Sequence, residues 1–548
     1  MRHRIPASAV DYRSDARFQD SERYVRAVER LARNPDDRHE NGFTAAERLL
    51  VRVGATCARY PTVERQRFGQ LLARSFADVT PICAAPRSDT PTADLIRAWS
   101  QPEGVQLWTD WWNPAIGHTY AGAYQGTKAA MIATAGLKRG PHFLAGWDAL
   151  RASSDLLQFF GRLIGDTGKN RGGETHFVVR EYSACTRHLS RLSADFPDLA
   201  MTACAQIVRS LAQMYPGSSI GRYLVVDGTA VPAWCPQRSA KRNGVIDELL
   251  EARYRKRVPD ADYRVIGYDR DGQFDTELEV GRKARSQGKA WRGYTLVLGS
   301  DLVTGLPLVG SLHPASTHEP HSASILMSRL FRSWPDIPLR AVVADALWDD
   351  NPTHELMETQ FGVHLVARRR PSHAEKGGRI FQPERGHYRG GIARITGEGI
   401  AFCRAHGKPL LFEGTDTPPR DGMAPGEPAT TSERERHARR FRSRFRCEDG
   451  CGRVSLPTNL AWSALPYFPL HPVGRPDLYA LRMALLAQRN VAESAFASLE
   501  TAFRQTLSGP CRTRVFNREV YESLIWISLV TRALLTLADQ RDTLKLSR

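Results

Sequence analysis

Tyr223-Leu-Val-Val-Asp227 and Leu339-Arg-Ala-Val-Val-Ala-Asp345 are short apolar runs, and each closes on a carboxylate. Runs of this length, rich in β-branched residues, predict buried strands. Between them, Gly293-Tyr-Thr-Leu-Val-Leu-Gly299 predicts a second strand. Thr304-Gly-Leu-Pro307 has the chemistry of a turn, and 306–312 can return as a third strand, making a hairpin. Residues 323–334 have helical spacing through Ile325, Leu326, Leu330 and Phe331. Residues 352–359 suit a second helix and 362–367 a fifth strand.

The predicted order is therefore strand, hairpin, helix, strand, helix, strand. Three antiparallel strands followed by crossover-connected ones give an α/β fold, the ribonuclease H-like mixed sheet with flanking helices. N-terminal to it, residues 44–214 carry apolar residues at helical spacing, among them Leu49, Leu50, Val53, Leu189, Leu192, Leu199 and Ile207. Gly140-Pro141 and the glycines at 165 and 168 interrupt them, and few runs alternate with period two, so this part reads as mostly helical. Residues 1–40 are charged nearly throughout and read as a disordered arm. The charged stretch 237–292 reads as an insertion without a core signal. From 368 to 477 the periodicity is lost, with Pro418-Pro419, Pro425 and Pro428 marking an irregular insertion. Helical spacing returns at 478 and continues past Phe503, and a last helix is expected over 518–540.

At 548 residues the chain is long enough for several domains. Its formal charge of +17 is the unusual figure, and it points to a polyanionic partner, of which nucleic acid is the commonest. The nine cysteines lack the dense spacing of a disulfide scaffold, and no basic start followed by an apolar stretch opens the chain. The apolar stretch 524–537 is interrupted by Thr531 and Arg532 and is too short to cross a bilayer. A cytoplasmic, membrane-free protein with reduced thiols is expected.

Carboxylates at the ends of adjacent strands are a common setting for divalent ions; Mg²⁺ takes one or two carboxylates together with waters and phosphate oxygens. Two such ions about 4 Å apart can activate an attacking oxygen and stabilise a leaving one. Asp227 and Asp345 need a third acid for this, and Glu493 in the helical stretch 485–500 is the candidate. Arg489, four residues earlier, shares its face, and Phe496 follows one turn on. Taken alone, Arg489 and Glu493 equally describe an ordinary surface ion pair.

In this order the motifs resemble the bacterial insertion-sequence transposases of the DDE family. Arg489, Glu493 and Phe496 match the helix carrying that family's third acid. Gly221-Arg-Tyr-Leu-Val-Val-Asp-Gly-Thr-Ala-Val231 is similar to its first-acid strand, and Val342-Val-Ala-Asp-Ala-Leu-Trp348 to its second. Gly293-Tyr294, Asp301-Leu-Val-Thr-Gly-Leu-Pro307 and Ala315-Ser-Thr-His-Glu319 resemble the hairpin and the turn after it; Glu319 stands where the family often has aspartate. Leu486 and Glu500 stand where one large subgroup has tyrosine and lysine. The resemblance implies an enzyme that cleaves and joins double-stranded DNA at the ends of its mobile element, using Mg²⁺ or Mn²⁺ held by Asp227, Asp345 and Glu493. It also implies a homodimer when two ends are paired. A ribonuclease H-like nuclease or resolvase, or a domesticated relative without catalysis, are the competing expectations. The expected division is an arm (1–40), a helical region binding DNA ends (41–215), a catalytic domain (216–370 with 478–540) and a basic insertion (371–477).

Inside that insertion, Cys403-Arg-Ala-His406 and Cys447-Glu-Asp-Gly-Cys451 are two close pairs of the kind that hold structural Zn²⁺, with free thiols as the alternative. Glu433-Arg-Glu-Arg-His-Ala-Arg-Arg-Phe-Arg-Ser-Arg-Phe-Arg446 interleaves arginine with Phe441 and Phe445, suiting phosphate contact or simply a solvated face. Lys241-Arg242 and Arg368 to Arg370 add positive charge near the acids. Trp108, Trp111 and Trp112 are expected in a core.

Overall fold

The computed structural model describes residues 70–72, 74–76, 78–79, 91–107, 155–156, 158–159, 198–233, 241–242, 245–246, 252, 258, 260–266, 289–367, 393–395, 401–403, 405–406, 408–416, 442–457, 476–501 and 518–546. The arm at 1–40, Trp108, Trp111, Trp112, Arg368 to Arg370, the prolines of 418–428 and the arginine-rich residues before Arg442 lie outside the described residues.

Helices α1 (Pro91–Trp99), α2 (Pro102–Gln106) and α3 (Leu199–Met214) come before the sheet. Small residues line the buried side of α3, where Ala200, Ala203, Cys204 and Ala205 accompany Met201, Ile207, Val208 and Leu211. Small side chains let the helix approach its neighbours closely.

The sheet begins with β1 (Tyr223–Pro232). Two two-residue strands, β2 (Lys241–Arg242) and β3 (Val245–Ile246), pair with each other outside it. Then follow β4 (Asp262–Ile266), β5 (Lys289–Asp301), β6 (Pro307–Pro314), β7 (Ala341–Ala344) and β8 (His364–Ala367). β5 is antiparallel to both β1 and β6, while β7 is parallel to β1 and β8 parallel to β7. The order β6-β5-β1-β7-β8 is the mixed sheet expected from the sequence. Helix α4 (Ala323–Ser333) carries the chain from β6 to β7 and α5 (Asn351–Phe361) carries it from β7 to β8. α4 packs on β6, and α5 on β8.

Two segments differ from the sequence reading. β4 is a sixth strand, paired with the first residues of β5, so 237–292 is not wholly an insertion and β5 starts at Lys289 rather than Gly293. Asp262-Tyr-Arg-Val-Ile266 is short and half polar, which leaves no periodicity to detect; its partner strand supplies the order. The stretch 371–477 is not irregular throughout. It holds two three-stranded antiparallel sheets, β9 (Ala393–Ile395), β10 (Ala401–Cys403) and β11 (Lys408–Pro409), then β12 (Leu411–Asp416), β13 (Arg442–Cys447) and β14 (Gly452–Pro457).

Helix α6 (Pro476–Ala487) leads through a 3₁₀ turn, Gln488–Asn490, into α7 (Val491–Thr501). The sequence predicts one continuous helix here. The backbone stays right-handed at both junctions, Ala487 and Val491, so the break is a local tightening. The last helix, α8 (Arg518–Leu546), is long and apolar enough to cross a membrane, but 89% of its most apolar window is buried inside the fold. Tyr521, Ile525, Trp526, Leu529, Val530, Ala533, Leu534 and Leu537 place it in the same core as the sheet. Its hydroxyls suit that setting, because Ser528, Thr531 and Thr536 each donate to the carbonyl four residues back. Thr531 also accepts from the Trp99 indole at 3.2 Å, tying α1 to α8.

His313, on β6, gives the fold a pH dependence. Burial, with Arg329 and Arg518 nearby, pushes its pKa down to about 4. In the unfolded chain the imidazole takes its proton near an ordinary value of about 6.5. Between these two values the unfolded state binds the extra proton, so stability falls as pH falls through that window and stays lost below it. We expect His313→Gln to flatten the dependence, measured as denaturant midpoints at pH 7 and pH 4.5. An unchanged slope would remove His313 as its source.

Candidate active site

β1 is where the first acid is held. Tyr223 to Val226 are buried and pair with β7 in the register Tyr223↔Ala341, Leu224↔Val342 and Val225↔Val343. Extending that parallel register by two residues sets Asp227 level with Asp345, which directly follows β7. Asp227 therefore stands in the middle of β1, not at its end as the sequence suggested. What ends there is the pairing with β7, and the exposure of β1 rises from buried to intermediate at this residue.

Local hydrogen bonds orient both acids. Asp227 accepts from the Gly228 N–H at 3.0 Å. Asp345 is an extended residue capping the 3₁₀ turn Ala346–Trp348, and its Oδ1 accepts from the Leu347 N–H at 2.8 Å. Such a cap fixes the carboxylate at the end of the strand.

The third acid arrives with the C-terminal helices. α6 packs on β7 and β8, and its buried Arg482 donates to the Ala367 carbonyl at 3.0 Å. α7 then lies against β1 and β5, with Phe496 packed on the core. Glu493, in the first turn of α7, is exposed, and Arg489, in the 3₁₀ turn before it, is half-buried. Both are close enough to act on Asp227 electrostatically. Burial raises the Asp227 pKa above the ordinary carboxylate value; Arg489 and the Gly228 N–H oppose the rise, whereas Asp345 and Glu493 add to it. Residues far apart in the sequence thus share one electrostatic site.

A further carboxylate packs on β1 at the next residue, whose side-chain direction is opposite to that of Asp227. Glu319 opens a 3₁₀ turn, Glu319–Ser322, that packs against β5 and against the turn following Asp345. Its carboxylate lies directly over the Cα of Gly228: a methyl group added there would stand 2.6 Å from the Glu319 carboxyl carbon. In the sequence Glu319 falls in a turn motif that assigns it no role. The available signal was the Asp-Gly pair at 227–228, because a glycine beside an acid permits close approach of another group.

Three carboxylates with one arginine form a site short of positive charge, and a divalent cation would supply it. Their oxygens are hard donors of the kind that hold Mg²⁺ or Mn²⁺. Away from this site, Cys403, His406, Cys447 and Cys451 also come together, with donor atoms all within 4.8 Å of one another.

No curated protein matches the chain. Among solved structures the chain is similar to a piggyBac transposase synaptic complex with hairpin DNA, determined by cryo-EM, at 10% sequence identity and a TM-score of 0.32, covering 82% of this chain and 76% of that one. The family described as "Transposase DDE domain" matches residues 224–520. That match runs from the strand of the first acid through the helix of the third and spans more than half of the chain, so the protein belongs to the DDE-domain transposases.

Proposed function

We propose that Asp227, Asp345 and Glu493 are the metal-binding carboxylates of this transposase and that the ion they take is Mg²⁺, with Mn²⁺ as a substitute. Members of the family cut DNA and transfer strands, and they use divalent metal ions. The observation that carries the assignment is the convergence of these acids with Arg489 at the point where β1 emerges from its pairing with β7. When bound, the metal polarises phosphodiester oxygens and lowers the pKa of water at the site.

This chain's own residues do the rest by placement. Asp227 lies on β1 and Asp345 directly follows the paired β7, so the sheet sets their spacing. Glu493 comes from α7, which is docked on β1 and β5, and its position therefore depends on packing. Arg489 offsets negative charge beside Asp227 and can meet a DNA phosphate as it enters. The substrate we propose is double-stranded DNA at the ends of the protein's mobile element, paired by a homodimer in the cytoplasm at the nucleoid. The net charge of +17 supports a polyanionic substrate.

The test is incubation of the purified protein and Mg²⁺ with DNA carrying the inverted repeats that flank its gene. Cleavage at the repeats followed by joining to a target is the expected result. Cleavage without joining would point to a nuclease or resolvase, and intact DNA with either metal would reject the assignment.

Glu319 is a positioning residue in this reading, holding β1 at Gly228, the residue after Asp227. Groups that orient metal ligands are commonly worth about 10- to 100-fold in activity. Gly228→Ala should push the flexible end of Glu319 away and slow single-turnover cleavage about 10-fold, with the thermal midpoint unchanged. Glu319→Gln should do the same. Parental rates in both variants would exclude a role for Glu319.

A further inference from the structure

We infer that Cys403, His406, Cys447 and Cys451 bind a structural zinc ion that closes the segment between the second and third acids into a folded unit. Four of the six separations between donor atoms match a tetrahedral site, and all lie within 4.8 Å. Bonds of about 2.3 Å to sulfur and about 2.1 Å to nitrogen in a tetrahedron give edges of about 3.8 Å between two sulfurs and about 3.6 Å between sulfur and nitrogen. Cys403 Sγ stands 3.8 Å from Cys451 Sγ, and His406 Nδ1 stands 3.6, 3.5 and 3.3 Å from the sulfurs of Cys403, Cys447 and Cys451. One histidine nitrogen thus faces three sulfurs at the separations expected around a shared ion.

The backbone presents the ligands as two facing knuckles. Cys403 ends β10, and His406 lies in the turn before β11. Cys447 ends β13 and Cys451 precedes β14, in a hairpin whose tight turn uses Gly450 and Gly452 at positive φ. The three cysteines are buried, while His406 is at the rim. A disulfide would need its sulfurs at about 2.05 Å, would involve only two of the cysteines and would leave the histidine without a purpose.

Small units held by a metal commonly draw folding energy from it. Three thiolates with an imidazole select a soft, tetrahedral ion, whereas the carboxylates around Asp227 select a hard one. The inference does not depend on the role given to those carboxylates. The bound ion would set the register of β13 against β14, in which the exposed Arg446 and Arg453 stand opposite each other.

The test uses the full-length protein purified under reducing conditions without chelator. Elemental analysis should find zinc stoichiometric with protein. Cobalt(II) added after chelator treatment should give the thiolate charge-transfer and visible bands of a tetrahedral site. Cys447→Ser and Cys451→Ser should lose both signals, and Asp227→Asn and Asp449→Asn should keep both. Chelation should also make 393–457 sensitive to protease while the main sheet resists. If the cysteine variants fail to fold, metal content and the cobalt spectrum of the parent protein decide the question. Reduced parent protein with neither zinc nor cobalt bands, or variants retaining stoichiometric zinc, would overturn the inference.

Discussion

Asp227→Asn should abolish DNA cleavage while leaving the protein at least as stable as its parent. The substitution keeps the size of the side chain and its acceptor for the Gly228 N–H. It removes the charge that a divalent ion needs at this position. Metal ions contribute several kcal/mol to transition-state stabilisation, and a loss of about 4 kcal/mol corresponds to about 10³-fold in rate. Stability should move the other way. In the metal-free protein Asp227 is desolvated and repelled by Asp345 and Glu493, and these two causes raise its pKa. Neutralising it relieves both, as expected of a site where function opposes stability. Cleavage kinetics and thermal unfolding of the variant check the two halves separately. A rate within tenfold of the parent would reject Asp227 as a metal ligand.

Asp301→Ala should unfold the catalytic domain or nearly so. This acid is fully buried, unlike those at the site. Its carboxylate accepts from the Gly221 N–H at 2.7 Å, from the Thr304 N–H at 2.7 Å and from the Thr304 hydroxyl at 2.8 Å. Those contacts tie the entry to β1 to the turn of the β5–β6 hairpin. Gly221 and Gly305 hold left-handed backbone at φ 79° and 66° on either side of the anchor. Removing the carboxylate strands two buried N–H donors at about 1–3 kcal/mol each. A total of roughly 3–5 kcal/mol is a large part of the 5–15 kcal/mol that folded domains commonly have. Denaturant unfolding measures it, and a loss below 1 kcal/mol would contradict the anchoring role. Activity should fall only with the folded fraction.

Asp227 and Asp301 show what a sequence can separate and what it cannot. Both end apolar runs, and by local pattern they look alike. One is an accessible acid among other acids, the other a buried staple; the difference lies in which backbone amides surround each. Among the described residues, Asp227 meets only the amide of its neighbour Gly228, whereas Asp301 also meets that of Gly221, distant along the chain.

The five strands and two crossover helices of the main sheet were legible because each is a run with its own period and each ends on turn chemistry. β4 and the strands of 393–457 were not, since they are short and polar and take their order from a partner strand or from ligands. The cysteine pairs could be read as two knuckles from spacing alone. That they meet depends on how the chain between them closes.

By itself, then, the sequence determined the mixed sheet, the two acids carried on its strands, the helical C-terminal region and the family resemblance. Each of these is encoded by neighbouring residues. The tertiary structure decided the rest: that Asp227 sits mid-strand level with Asp345, that α7 brings Glu493 and Arg489 to them, and that Glu319 rests on the bare Cα of Gly228. These placements follow from packing one element on another, and no local period records where a distant helix or turn will dock.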